Sequence, residues 1–521
     1  MKSICSSVRK IAAIAICIMI LPRFAGAAES ADDGIISTAP DGKIIYVDSD
    51  ATGNGDGSSW QDAYTSIQVA IDAARPNDHI RLKGDYVLTE QLLITNASFR
   101  ISGGYTGDGD SVSGRSVLTR DAAVNIRIAR ITNSVVYAEG LVISNGCCNE
   151  VERIAEINTK DIVLGQGISA LHSDLSLSNC VFAANSYDLT VQYFHGGAVG
   201  MYKGSLHITD CHFISNRIGK VSDLYGCAHG ADVYSKDAQV VEVLSSTFEG
   251  GLCRTHSAEF FGVGLALVRQ SNNEGVAVVS NCVFRGIEAK RSVNPIWSNH
   301  SRGTAITAIK FASVKIEDCR FFDNINSRKN SGGAYTSQCG TLYFDGNSTA
   351  SVIRSVLYGN GSRRTGVPIE GDCGSICLQS GSLSLTNVLQ AGCAYGDGVE
   401  IFGGNLNAYN CTFAAITNGY AIRIAGNCEA FFENCILSGE KGAYIVTSGN
   451  TPTINRCLAA EELPGLENIV GEPLFGDDAY FHPKSKVGRC IDGYFSGNEW
   501  TYDAIHEALF ALIAKLEVKN G

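Results

Sequence analysis

Proline is scarce in this chain, 9 of 521 residues, and charged residues make up only 18% of it. Disordered chains usually carry more of both, so the composition argues against disorder. Glycine is abundant, at 57 residues, but it does not recur at every third position, which excludes a collagen helix. Helical patterns between apolar segments are missing before residue 500, which argues against an α/β fold. Long apolar runs are missing too. The one candidate, Ile11 to Leu21, has eleven residues, where a membrane span needs about 20. It follows Lys2, Arg9 and Lys10 and precedes Ala25-Gly26-Ala27, the small-residue pattern of a cleavage site. Residues 1–27 therefore read as a secretory signal peptide, and no integral membrane segment is expected after its removal.

The 41 basic and 53 acidic residues give a net charge of −12. Removing the signal leaves 37 basic residues and a net charge of −16. Such a surface repels nucleic acid and anionic lipid, so no nucleic-acid partner is expected. The cysteine count falls from 19 to 17, an odd number, and at least one thiol lacks a partner within the chain.

What the chain does contain is a repeat. An alternating apolar segment, a polar residue and then Cys-x-Phe recur as SLSNCVF (176–182), ITDCHF (208–213), VSNCVF (279–284), IEDCRF (316–321), AYNCTF (408–413) and FENCIL (432–437). With weaker copies included, the anchors are Leu141, Cys180, Cys211, Ser246, Cys282, Cys319, Ser355, Asn387, Cys411, Cys435 and Cys457. A second phrase, Gly followed by small and apolar residues, precedes each anchor, as in GGAVGMY (196–202), GADVY (230–234) and GYAIRI (419–424). The last repeats hold 22 to 24 residues, too few to bury a face alone, and must stack on one another.

This pattern predicts a single-stranded parallel β-helix, an all-β solenoid in which each coil pairs with the next at ~4.8 Å. The Cys column and the Phe or Leu two residues later are expected to face inward as ladders. The residue before each Cys, such as Asn179, Asp210 or Asn281, suits a tight bend, because Asn tolerates left-handed backbone.

In these motifs the chain resembles the right-handed parallel β-helix proteins of the pectin-lyase-like superfamily, and more narrowly secreted bacterial proteins related to polymorphic outer-membrane proteins. FAAN (182–185), FISN (213–216) and FFDN (321–324) match the FxxN motif of the latter, and GGAV (196–199) and GGAY (332–335) match its GGA motif. YVDSDATGNGDGSSWQDAYTSIQVAIDAA (46–74) is similar to the amino-terminal entry of this group, which implies a short capping helix, and EPLFGDDAYFHPKSKVGRCIDG (472–493) to its closing segment. The resulting division is a signal peptide (1–27), a linker (28–43), an N-terminal cap with the first coils (44–140), β-helix coils (141–470), a closing segment (471–495) and a C-terminal helix (496–521). That helix is expected to dock on the open end of the β-helix, since Ile505, Leu509, Leu512 and Leu516 recur at helical spacing.

Repeats anchored from Cys180 to Asn387 run longer, 31 to 37 residues, because each carries an insertion between the FxxN phrase and the next Gly phrase. Resemblance to pectate lyases implies that loops at this junction wall a substrate groove. Within it, His195 and His229 precede their Gly phrases in successive repeats and are expected to be neighbours, with Phe261 and Arg302 next in the column and Asp232 close by. Trp297, in the insert 286–302, offers a ring for stacking on sugar. Two adjacent histidines suit either a metal or proton transfer, or else satisfied polar groups at a loop base. Glu400 and Arg423 are expected to form a surface ion pair, and Asp232 lies too far from Glu400, ~24 Å, for an acid pair.

Enzyme motifs of the family are incomplete. Trp297-Ser298-Asn299-His300 lacks the carboxylate of the pectate-lyase phrase, and no Gly-His-Gly of polygalacturonases is present. Asp48, Asp50 and Asp56 have a calcium-loop flavour, but Ser59 stands at the twelfth position in place of Glu, so a Gly-rich capping turn competes with a calcium site. Ten cysteines lie off the ladder; export favours disulfides among them, and Cys373-x3-Cys377 lacks the second pair that a zinc site needs. The expectation is a secreted, periplasmic or cell-surface protein that binds polysaccharide or another surface partner on its long-loop side without catalysis. The alternatives are a polysaccharide lyase or glycoside hydrolase using that groove, and a structural adhesin.

Overall fold

Alternation of side chains across a strand decides the local structure. In Val240–Leu244, Val241 and Val243 are fully buried while Val240, Glu242 and Leu244 are half-exposed. The computed structural model describes residues 42–148, 150, 162–187, 193–221, 227–255, 259–270, 274–291, 301–329, 340–365, 373–393 and 396–471. The signal peptide, nearly all of the linker, the closing segment after Gly471 and the C-terminal helix lie outside these residues. The described chain is all-β, with sheets of 24, 14, 6 and 5 strands and one helix, Ile67–Ala73, whose Ile67, Ala70 and Ile71 join the core.

Most repeats give two strands to the largest sheet and one to the 14-stranded sheet, while Ile168–Ser178 and Val199–Thr209 each run the first two together as one strand. One repeat supplies Val233–Lys236, Val240–Leu244 and Thr247–Glu249. The next lays Leu265–Val268, Val276–Ser280 and Val283–Arg285 beside them in parallel, pairing Val233 with Leu265, Val240 with Val276 and Phe248 with Phe284. These long parallel sheets are compatible with a parallel β-helix. Among the described residues, the antiparallel contact is the isolated bridge between Tyr105 and Val112.

In-register pairing stacks like residues. Phe182, Phe213, Phe248, Phe284 and Phe321 form one column, with ring centroids 4.9, 4.7, 4.4 and 5.1 Å apart and planes within 14°. Burying each ring contributes about 1.5–3 kcal/mol, with a further ~0.5–1.5 kcal/mol per ring pair. Cys180, Cys211, Cys282, Cys319, Cys411, Cys435 and Cys457 line the neighbouring column and are buried free thiols. Burial, reinforced by neighbouring ladder cysteines, pushes the Cys319 and Cys435 thiols well above the ordinary value, so they pack as small hydrophobes.

The bend before each Cys is left-handed, with φ of 51° at Asn179, 52° at Asp210, 53° at Asn281 and 58° at Asn410. Asn387 has φ 55° and belongs to this bend column. The inward residue of its repeat is Val388, so that anchor moves by one position, and Gln390 takes the Phe place through the pairing of Leu357 with Gln390.

The FxxN asparagines form a second internal column. Asn216 donates Nδ2–H to the Phe182 carbonyl at 3.0 Å, and its Oδ1 accepts from Asn185 Nδ2 at 3.1 Å. Asn324 and Asn360 repeat the pattern farther along. Between them, Gly251 and Ile287 occupy the column, as the pairing of Arg217 with Leu252 and of Leu252 with Glu288 fixes.

The insertions begin and end as strands. The 6-stranded sheet (Ser186–Tyr187, Arg217–Val221, Leu252–Thr255, Glu288–Arg291, Ile325–Lys329, Gly361–Thr365) follows the FxxN phrase. The 5-stranded sheet (Ile162–Leu164, Tyr193–His195, Cys227–His229, Glu259–Phe261, Ser301–Arg302) precedes the Gly phrase.

Candidate functional site

The Gly phrase turns the chain from the 5-stranded sheet into the largest sheet. At Gly196, with φ 75°, a Cβ would meet the Val199 carbonyl oxygen at 2.5 Å, and at Gly230, with φ 62°, the Val233 carbonyl oxygen at 2.3 Å. Only glycine fits both the conformation and the space.

Alternation on the strand before this turn sends Val163, Phe194, Ala228 and Phe260 into the main core. It sends Leu164, His195, His229, Phe261 and Arg302 the other way, in register. There they meet a separate apolar cluster of Leu164, Leu171, Tyr202, Tyr234 and Ala266. His195 and His229 stack with ring centroids 4.7 Å apart and planes within 7°, as their spacing in the sequence predicts. His195 also stacks on Tyr234 at 4.5 Å, and His229 on Phe261 at 4.3 Å. The Arg302 guanidinium lies 4.8 Å from the Phe261 ring and 5.5 Å from the Tyr343 ring.

Both histidines are 6% exposed, and the Nδ1 of each is enclosed without a hydrogen-bond partner. Burial, then the positive field of Lys236, pushes His195 down to about 3. His229 is also lowered well below its ordinary value, by burial first and then by the fields of His195, Arg302 and Lys236. Both rings are therefore neutral near pH 7, whereas a general acid or base works best with a pKa near the operating pH.

Asp232 does not join the histidines. Its Oδ1 accepts from Asn216 Nδ2 at 2.9 Å, and its Oδ2 lies 2.7 Å from where a Cβ on Gly251 would stand. It fills the gap that Gly251 leaves in the asparagine column, because the residue just before the inward Val233 is drawn to the vacant amide. Burial pushes its carboxyl up to about 8, partly opposed by the Asn216 bond. Trp297 lies outside the described residues, as does the rest of 292–300.

The Glu400–Arg423 pair is buried, not on the surface: Glu400 is 2% and Arg423 9% exposed. Asp397 causes this, since its carboxylate binds Arg423 Nε and accepts from the Tyr420 N–H at 2.7 Å, with Glu400 Oε1 4.0 Å from the same Nε. The acidic N-terminal loop also uses its carboxylates internally. Asp48 binds Lys83 Nζ at 2.6 Å, Asp56 accepts from the Ser58 N–H at 2.9 Å, and Asp62 accepts from the Asn54 N–H at 2.8 Å. These bonds close a Gly-rich turn. Among the described residues, no group of three or more His, Cys, Asp or Glu is placed to hold a metal ion. Of the off-ladder cysteines, Cys148 and Cys428 are free thiols, while Cys339 and Cys490 lie outside the described residues.

Lys236 and Tyr234 escape a reading based on the Gly phrase alone. Their signal is the alternation in VYSK (233–236), which puts both on the face opposite Val233 and Ser235. Beside them, a concavity of about 750 Å³ is lined by Tyr202, Lys203, Asp237, Gln239, Arg269 and Glu274, a set of balanced charge. No helix of the described residues is long and apolar enough to cross a membrane. No protein-family model matches the chain, and no curated protein matches it.

Proposed function

We propose that the protein is a secreted or cell-surface right-handed parallel β-helix of the pectin-lyase-like kind, related to polymorphic outer-membrane proteins, with Ile67–Ala73 as its capping helix. It binds a polysaccharide along the face bearing the insertions and does not cleave it. The observation that carries this reading is the register of the insertions. Among the described residues, the 6-stranded sheet follows them through successive long repeats to Gly361–Thr365 and the 5-stranded sheet to Ser301–Arg302, and neither has a strand in the repeats anchored at Cys411, Cys435 and Cys457. Sites repeated at strand spacing, ~4.8 Å, suit a ligand that is itself a repeating polymer. The neutral, mutually stacked histidines support binding without chemistry.

The test has two arms. Glycan-array binding is expected, and it should disappear on deletion of 292–300, which leaves the flanking strands Glu288–Arg291 and Ser301–Arg302 in place. Loss of all glycan binding in the intact chain, with protein partners retained, would favour a structural adhesin. Incubation with uronate polymers should release neither unsaturated product nor reducing ends. Release that is abolished by His229→Ala would establish a lyase or hydrolase instead.

A further inference from the structure

Five successive long repeats follow a rule of size in their interior. The residue before the inward strand faces the column of FxxN asparagines, and in register these residues are Gly167, Ala198, Asp232, Gly264 and Ala305. The column residues of the same repeats are Asn185, Asn216, Gly251, Ile287 and Asn324. A small residue is set against a larger one: a Cβ on Gly167 would stand 3.4 Å from Asn185 Cγ, and one on Gly264 3.0 Å from Ile287 Cδ1. At Asp232 and Gly251 the order is reversed. The exchange keeps the interior filled, but it puts a carboxyl where the other repeats carry an amide or an apolar side chain.

That carboxyl is fully buried. Its Oδ1 accepts from Asn216 Nδ2 at 2.9 Å, and its Oδ2 is enclosed without a hydrogen-bond partner. The elements packed against it bring no counter-charge. On one side Ala198 and Val199 donate their N–H groups to the Asp232 carbonyl, on the other the Asp232 N–H donates to the Val263 carbonyl, and across the interior stand Asn216 and Gly251. None of these residues is titratable, and among the described residues Asp232 forms no ion pair. The titratable side chains of its own segment, His229, Tyr234 and Lys236, belong to the opposite face of the sheet.

Asp232 follows the strand Cys227–His229 of the 5-stranded sheet by three residues, and Gly251 directly precedes Leu252–Thr255 of the 6-stranded sheet. One carboxyl thus packs between the roots of both insertion sheets. We propose that Asp232 and Gly251 form a pH-operated joint at the root of the insertion wall, closed while the carboxyl is protonated and opening locally as rising pH favours its ionisation in water. Burial raises the carboxyl of the closed form to about 8, so closure is fully favoured below the ordinary value near 3.8 and its advantage is lost as pH rises through about 8. The joint operates whether or not the wall binds polymer.

Hydrogen exchange of the full chain against Asp232→Asn, which keeps the shape and cannot ionise, tests this. Comparing the two proteins at the same pH cancels the intrinsic pH dependence of exchange. In Cys227–His229, Val233–Lys236 and Leu252–Thr255 the parent should exchange within about twofold of the variant at pH 4 and at least tenfold faster at pH 8, with no such change in Asp397–Ile401 or Tyr420–Ala425. A ratio that stays constant from pH 4 to 8 would overturn the joint. A ratio that rises equally in all five segments would overturn it too, since the carboxyl would then act on the whole fold. Asp232→Ala with Gly251→Asn copies the arrangement of Ala198 with Asn216 and provides a second non-ionising chain. It should match Asp232→Asn, and if it kept the parent's pH response the joint would be overturned.

Discussion

The long repeats anchored from Cys180 to Ser355 and the short ones anchored at Cys411, Cys435 and Cys457 share the same two core sheets. The Phe column of the former continues as Phe413 and Leu437 in the latter, in register through the pairing of Phe413 with Leu437. The difference lies outside the core. Where the long repeats carry stacked histidines and Arg302, which pairs with no carboxylate among the described residues, the outward face of the short ones holds Arg423 closed on Asp397 and Glu400. An added wall holding polar atoms without a hydrogen-bond partner among the described residues is the face on which binding is proposed. A buried ion cluster without that wall is structural.

The largest effects should show that the core is common property. Phe248→Ala in a long repeat should cost about 3–5 kcal/mol and Leu437→Ala in a short one about 2–5 kcal/mol, measured by denaturant unfolding. A near-zero cost at either position would break the continuity of the core. Next, Arg423→Met strands two buried carboxylates and should destabilise by about 3–5 kcal/mol. A loss below about 1 kcal/mol would return this cluster to the surface.

A smaller effect sharpens the contrast inside the long repeats. The Asp232 carboxyl is raised in the fold, so its contribution is complete below the unfolded value near 3.8 and is lost as pH climbs through about 8. Asp232→Asn should leave stability at pH 3 little changed and raise it at pH 9 by on the order of a few kcal/mol, seen as a pH-dependent gain in Tm. Smallest is the replacement of His195 and His229 together by Phe. Their lowered values make stability complete above the unfolded value near 6.5 and lost as pH falls toward about 3. The double variant should lie within about 1 kcal/mol of the parent at pH 7.5 and lose less stability than the parent between pH 6.5 and 4.

How much of this was legible in the sequence depended on whether a residue's place follows from period and spacing. The strand alternation, the Phe and Cys columns and the left-handed Asn179 and Asp210 bends were readable, because each follows from local pattern repeated many times. The slip at Asn387 arose because TNVL (386–389) lacks the Cys that marks the register. Asp232 was misplaced because its partner vacancy, Gly251, lies 19 residues later on the far side of the repeat. The burial of Glu400 and Arg423 depends on Asp397 reaching across from the first position of the strand Asp397–Ile401, a contact that strand periodicity does not encode. His195, His229, Phe261 and Arg302 were correctly grouped, since one column is a matter of counting, but Tyr234, Lys236 and Tyr343 approach from another sheet.

The most direct test of the central claim, that the insertion face of the long repeats binds polymer, is hydrogen exchange with and without saturating alginate or dextran sulfate. Slowed exchange should concentrate in Tyr193–His195, Cys227–His229, Glu259–Phe261 and Val233–Lys236, with none in Asp397–Ile401 or Tyr420–Ala425. Protection in the short repeats, or no protection anywhere, would contradict it.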